Sequence, residues 1–184
     1  MLRHIQKYCF YMLVGIGFVA AASFSSYGQI ERSNNKPRMS PNATVSQTIG
    51  TTVVTLHYGR PGVKGRKVFG GLVPYNKIWR AGANEATAIN FSKDVKVQGQ
   101  SLKKGWYSLH MIPTEKEWTI IFNSSIKWGL DYDQKSDALR VKTTPEEAPM
   151  HEWLMYSFRN LKSNSVDLVL NWDKTAVPIT ITTE

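Results

Sequence analysis

The chain is expected to form an all-β domain, an antiparallel β-sandwich or jelly-roll-like barrel with one long Gly-rich loop. Three observations predict it: short segments with apolar residues at every second position, clusters of Gly, Pro, Asn and Lys between them, and no long stretch with a helical period. Length and charge set the frame. The chain has 184 residues with a formal net charge of +9, and its one cysteine is Cys9.

The N-terminus reads as a secretory leader. Arg3 and Lys7 make it positive, no acid precedes Glu31, and Phe10 to Ala22 is an apolar run. That run suits a signal-peptide core and is short of the roughly 20 residues that span a bilayer. Small residues at Ala20 to Ser23, Ser26 and Gly28 allow cleavage after Ser23 or Gly28. Gly28 is favoured, so residues 1–28 are assigned to the signal peptide and Gln29 to the new N-terminus. Cys9 sits at the start of the apolar run, whereas a lipid-anchored cysteine sits at its end, so no stable membrane anchor is expected after cleavage. The exported chain, periplasmic or extracellular, then has no cysteine and must fold on packing and sheet pairing, without disulfides or thiolate metal sites. Residues 29–40 are polar, contain Pro37, and read as a flexible arm. Residues 41–184 are assigned to a single β domain.

The strands follow in order. Ala43 to Ile49 can pair with the next segment across Gly50-Thr51, and in that segment Val54, Leu56 and Tyr58 share one face. Thr87, Ile89 and Phe91 alternate, and Val95 and Val97 lead into a turn at Gln98-Gly99. Lys103-Lys104-Gly105 makes another turn. Trp106 to Ile112 and Trp118 to Asn123 form a hairpin across Pro113 to Lys116, with Trp118, Ile120 and Phe122 facing the core. Four further strands are expected at Leu139 to Thr143, Glu152 to Phe158, Val166 to Trp172 and Val177 to Thr182. Pro178 then suits an edge position or a strand start.

One stretch breaks the rhythm. The 28 residues from Gly59 to Ala86 contain six glycines and two prolines, have no strand period, and carry Arg60, Lys64, Arg66, Lys67, Lys77 and Arg80 against the single acid Glu85. Loops of this length in a small domain are often functional. The string HYGRPGVKGRKVFGGLVPYNKIWRAGANEAT around it, with the later LKKGWYSLHMIP, resembles the secreted bacterial family called domain of unknown function 2911. The residues that carry the resemblance include Tyr58, Arg60-Pro61, Lys64-Gly65-Arg66, Gly70, Pro74, Trp79-Arg80 and Gly82 to Glu85, with Gly105, Tyr107 and Pro113 further on. It covers roughly Ser40 to Thr182. The resemblance implies an exported β domain of the Bacteroidetes type, sometimes joined to helical repeats that this chain lacks, and no established activity. Gly59 stands where the pattern often has Ser, and His110 where it often has an apolar residue, so neither position carries over as a family site.

The loop supports two readings. In the first, Arg60, Lys64, Arg66, Tyr75, Arg80, Asn84 and Glu85 form a binding site for an anionic small molecule or a glycan, because guanidinium forks suit carboxylate, sulfate or phosphate and Tyr75 or Trp79 can stack on a flat group. In the second, Arg80 and Asn84 bond to loop carbonyls and Glu85, Trp79 fills the core, and the loop is a packed cover. An enzyme would use Glu85 with Arg80 and His110 as a hydrolase or isomerase, and Glu85, Glu152 and Asp167 are carboxylates that a fold can bring together.

Other chemistries find little support. His57, His110 and His151 fall on three separate strands without the close pair a metal site needs, so no metal and no cofactor are expected. Asp131, Asp133 and Asp137 read as a solvated acidic turn, since Lys135 stands where a calcium loop wants oxygen. No G-x-S-x-G elbow and no phosphate loop is present. Export argues against nucleic acid as the partner of this basic surface. A non-catalytic binding domain of the cell envelope is the leading expectation, with the enzyme and a purely structural envelope module as alternatives.

Overall fold

Apolar alternation is realised in ten strands among the described residues, which in this computed structural model are Arg32, 35–127 and 131–183. The expected leader lies outside them. The strands are β1 (Asn42–Ile49), β2 (Thr52–Gly59), β3 (Ala88–Phe91), β4 (Val95–Val97), β5 (Gln100–Leu102), β6 (Gly105–Ile112), β7 (Trp118–Asn123), β8 (Asp137–Thr143), β9 (Glu146–Arg159) and β10 (Ser165–Thr182). They form two antiparallel sheets, ordered β1-β2-β3-β6-β7-β8 and β5-β4-β10-β9. The fold is an all-β sandwich. Its helical content among the described residues is one 3-10 turn at Gln134–Ser136, and no described helix is long and apolar enough to cross a membrane.

The first hairpin pairs Asn42 with Gly59 and Ile49 with Thr52. The core lies between the sheets, where Val54 and Leu56 of β2, Ile89 and Phe91 of β3, and Trp118, Ile120 and Phe122 of β7 meet Tyr156 of β9 and Leu168, Leu170 and Trp172 of β10. One inward face per strand is what makes the period-2 signal readable.

β10 corrects the expected strand count. Val166 to Trp172 and Val177 to Thr182 are one strand of 18 residues. Its residues in the hydrophobic core run 166, 168, 170, 172 and then 177, 179, 181, a change of phase that looks in sequence like two strands. The register against β9 shifts between Asn171 and Thr175, and Asp173 at φ 55° takes the left-handed backbone there. A bulge of this kind changes the phase without ending the strand. Pro178 sits within this strand rather than at an edge or start. It lies past the last pairing with β9, Ala176 to Glu146, and before the first with β4, Ile181 to Val97, so its missing N–H leaves no gap in either ladder. β9 also begins earlier than expected, at Glu146, and β5 is a short strand that composition did not reveal.

The acidic turn is more built than a solvated one. Asp131 is exposed, but Asp133 caps the 3-10 turn through Lys135 N–H, and Asp137 accepts from Asn123 Nδ2 at 2.8 Å, Tyr132 Oη at 2.6 Å and Arg140 Nε at 2.7 Å. Burial alone would raise the Asp137 pKa; those hydrogen bonds outweigh it and hold the carboxyl below its ordinary value.

Candidate functional site

The 59–86 loop is tied down at both ends and in the middle. Gly59 passes so close to Ala83 that an added Cβ would stand 2.2 Å from the Ala83 carbonyl oxygen. Trp79 exchanges both backbone hydrogen bonds with Met111 of β6, each 2.8 Å. Between these anchors, residues 67–73 form a tight turn in which Leu72 N–H donates to Lys67 and Val73 N–H to Val68. The Ala81 carbonyl accepts from both Thr87 Oγ1 and Tyr156 Oη, which holds Ala81 at φ 51°.

This path leaves a cavity of about 450 Å³ at the mouth of the sandwich. Trp79 of the loop and Trp172 of β10 line it and stack on each other with ring centroids 5.8 Å apart. Lys64, Arg66, Lys77 and Arg80 supply positive charge, and among the described residues no acid lines the cavity. Two buried donors in the lining residues, Arg80 Nε and Trp172 Nε1, have no acceptor among the described residues. Burial lowers the Arg80 pKa from its ordinary value.

The candidate residues divide between the cavity and the framework. Lys64, Arg66 and Arg80 line the cavity. Arg66 also braces the loop, with Nε donating to Val63 O at 3.0 Å and Nη2 to Gly62 O at 2.7 Å. Arg60 lies outside the lining and donates from Nε to Leu154 O at 2.9 Å. Tyr75 also lies outside it, with its ring against Gly70. Asn84 donates to Ser40 O at 3.0 Å, a carbonyl outside the loop, and Glu85 pairs with Arg38 rather than Arg80. Arg38 Nη1 reaches both Glu85 oxygens at 2.8 Å, and Arg32 Nη1 stands 3.7 Å from Oε2. Burial would raise the Glu85 pKa, yet the Arg38 hydrogen bond and the two positive charges bring it below its ordinary value. Such a carboxylate stays ionised and is unsuited to act as a general acid.

His110 is buried on the outward face of β6, 5.1 Å from the Tyr132 ring, and its Nδ1 has no partner among the described residues. Burial, helped by the positive charge of Arg80 and opposed by Asp137, lowers its pKa to about 4. The Arg80 charge thus acts on His110, while Glu85 is engaged with Arg38. Among the described residues no group of three or more His, Cys, Asp or Glu is placed to hold a metal ion.

Sequence reasoning missed Trp172, Lys77, Leu72 and Ile78 as lining residues. Leu72 and Ile78 carried a usable signal, apolar side chains in a basic loop; Trp172 carried none, because a tryptophan in a β-strand reads as core.

A family model matches residues 40–181, a span that contains every cavity residue named above. The chain belongs to the family described as protein of unknown function (DUF2911). No curated protein and no solved structure matches the chain. Membership in DUF2911 thus covers the sandwich and the loop and assigns neither an activity.

Glu85 offers a direct test of the framework role. Glu85→Gln removes the charge that Arg38 and Arg32 face. It is expected to lower stability by about 2 kcal/mol, the range for losing charge-assisted hydrogen bonds at a buried site. Urea unfolding of the variant at neutral pH measures it, and an unchanged midpoint would show that the pair adds nothing net.

Proposed function

We propose that this DUF2911 domain is an exported, non-catalytic binding module that captures an anionic small molecule in the cavity lined by Trp79 and Trp172. The observation that carries the reading is the lining itself: among the described residues, four cationic side chains and no acid line about 450 Å³. That volume lies in the range of about 300–1,000 Å³ usual for small-molecule sites. Lys64 and Lys77 have no ion-pair partner among the described residues, so their charges are available to a ligand. The exported chain's surplus of basic residues would also favour encounter with anions.

Thermal shift and calorimetric titration with sulfate, phosphate, benzoate and galacturonate provide the test. At least one anion is expected to bind, and Lys64→Ala combined with Lys77→Ala is expected to weaken it about tenfold, with binding also falling as salt rises. No binding by any anion, or affinity untouched by the double substitution, would remove this reading.

A further inference from the structure

The hydrogen-bonding capacity of the cavity narrows the ligand further. Among the described residues, those that line the cavity include no Asp, Glu, Asn or Gln, and Ser40 is the one hydroxyl side chain. Six of their backbone carbonyls, those of Ser40, Pro61, Gly62, Val73, Trp79 and Gly82, each already accept one hydrogen bond, which leaves each with half its capacity for a ligand hydroxyl. Donors are at hand: the exposed Lys64 and Lys77 side chains line the cavity and carry ammonium groups. A sugar brings several hydroxyls, and each hydroxyl buried without an acceptor costs about tenfold in affinity. An acceptor-only head, such as carboxylate or sulfate, has no hydrogen to place.

The apolar part of the lining points the same way. Met39, Leu72 and Ile78 line the cavity while remaining 79%, 44% and 38% exposed, and the stacked Trp79–Trp172 pair lies with them. Three large aliphatic side chains kept in water beside a cationic site suit a ligand whose body is apolar. From this geometry we infer that the ligand is an anionic amphiphile, a carboxylate or sulfate head on an apolar body. The inference rests on the anion-binding reading above and names the class of anion. The head meets Lys64 and Lys77, and the apolar body lies along Leu72, Ile78 and Trp79.

Calorimetric titration of the purified protein with hexanoate, octanoate, decanoate, decyltrimethylammonium, inorganic sulfate and galacturonate, all below micelle-forming concentrations, tests the inference. Affinity is expected to rise about fourfold for each added methylene from hexanoate to decanoate, the gain from burying one methylene. Decyltrimethylammonium is expected to bind at least tenfold more weakly than decanoate. Leu72→Glu, at an exposed position, is expected to weaken decanoate at least tenfold while leaving the melting temperature unchanged. Sulfate or galacturonate binding with no gain from chain length would overturn the amphiphile and leave the anion-binding reading standing. Equal binding of decanoate and decyltrimethylammonium would overturn the anionic head. Absence of binding by every anion would remove both readings together.

Discussion

Trp79→Ala is expected to destabilise the protein by about 3 kcal/mol, the low end of the range for truncating a packed aromatic. The low end applies because the side chain is only partly buried and borders an existing cavity, so less new void is created. What is lost is specific: the stack on Trp172 at 5.8 Å, the edge contact with Phe69 at 6.0 Å, and the indole hydrogen bond to Gly82 O at 3.2 Å. For a domain of this size that corresponds to a melting temperature lower by about 10 °C. Lys64→Ala changes one exposed charge and is expected to stay within about 0.5 kcal/mol of the parent. Thermal denaturation followed by circular dichroism compares the two. Equal melting temperatures would show that Trp79 does not anchor the loop and contributes to the ligand surface alone.

Acid is expected to weaken the fold through His110, in a window set by its depressed pKa. In the folded protein the imidazole stays neutral down to about pH 4, while in the unfolded chain it takes up a proton near its ordinary value of 6.5. Between those limits the unfolded state binds more protons, so stability falls as the pH drops from about 6.5 to about 4 and changes no further from this group below that. The depression corresponds to about 3 kcal/mol across the window. Arg80 disfavours the imidazolium and Asp137 favours it, and both are already counted in the depressed value. Asp137 and Glu85 have lowered carboxyl pKa values, so their own losses belong to more acid conditions. His110→Phe fills the site with a ring that cannot titrate. Its unfolding free energy is expected to lose most of the pH 6.5 to 4 slope that the parent shows, the remainder belonging to His57, whose pKa burial and the Arg32 charge also lower; the same slope in both proteins would exclude His110 as its source.

Strand faces were legible because a sandwich buries one side of each strand, and burial of alternate residues is a local property. Val54, Leu56 and Tyr58, and likewise Trp118, Ile120 and Phe122, face inward as their spacing requires. The same local rule misread β10, where the bulge at Asp173 changed the phase within one strand. The loop was legible for the opposite reason: residues 59–86 lack any period. Its charge also showed in composition, and Lys64, Arg66 and Arg80 do line the cavity.

Partnership inside the loop was not legible, and Glu85 shows why. It lies five residues from Arg80, yet its carboxylate is held by Arg38, 47 positions away, in a segment whose polarity read as a flexible arm. Tyr75 and Asn84 had the right chemistry for a ligand, but Tyr75 packs its ring against Gly70 and Asn84 spends its amide on the Ser40 carbonyl. Trp172 looked like one more core residue until the loop closed over it. By itself, then, the sequence determined the fold class, the inward face of most strands and the place of the irregular basic loop, all of which follow from spacing along the chain. Which cations line the cavity, which are consumed in holding the loop, and which tryptophan stacks on Trp79 were decided by tertiary structure alone, because a hydrogen bond or an ion pair depends on distances of a few ångströms between residues that chain closure brings together from far apart.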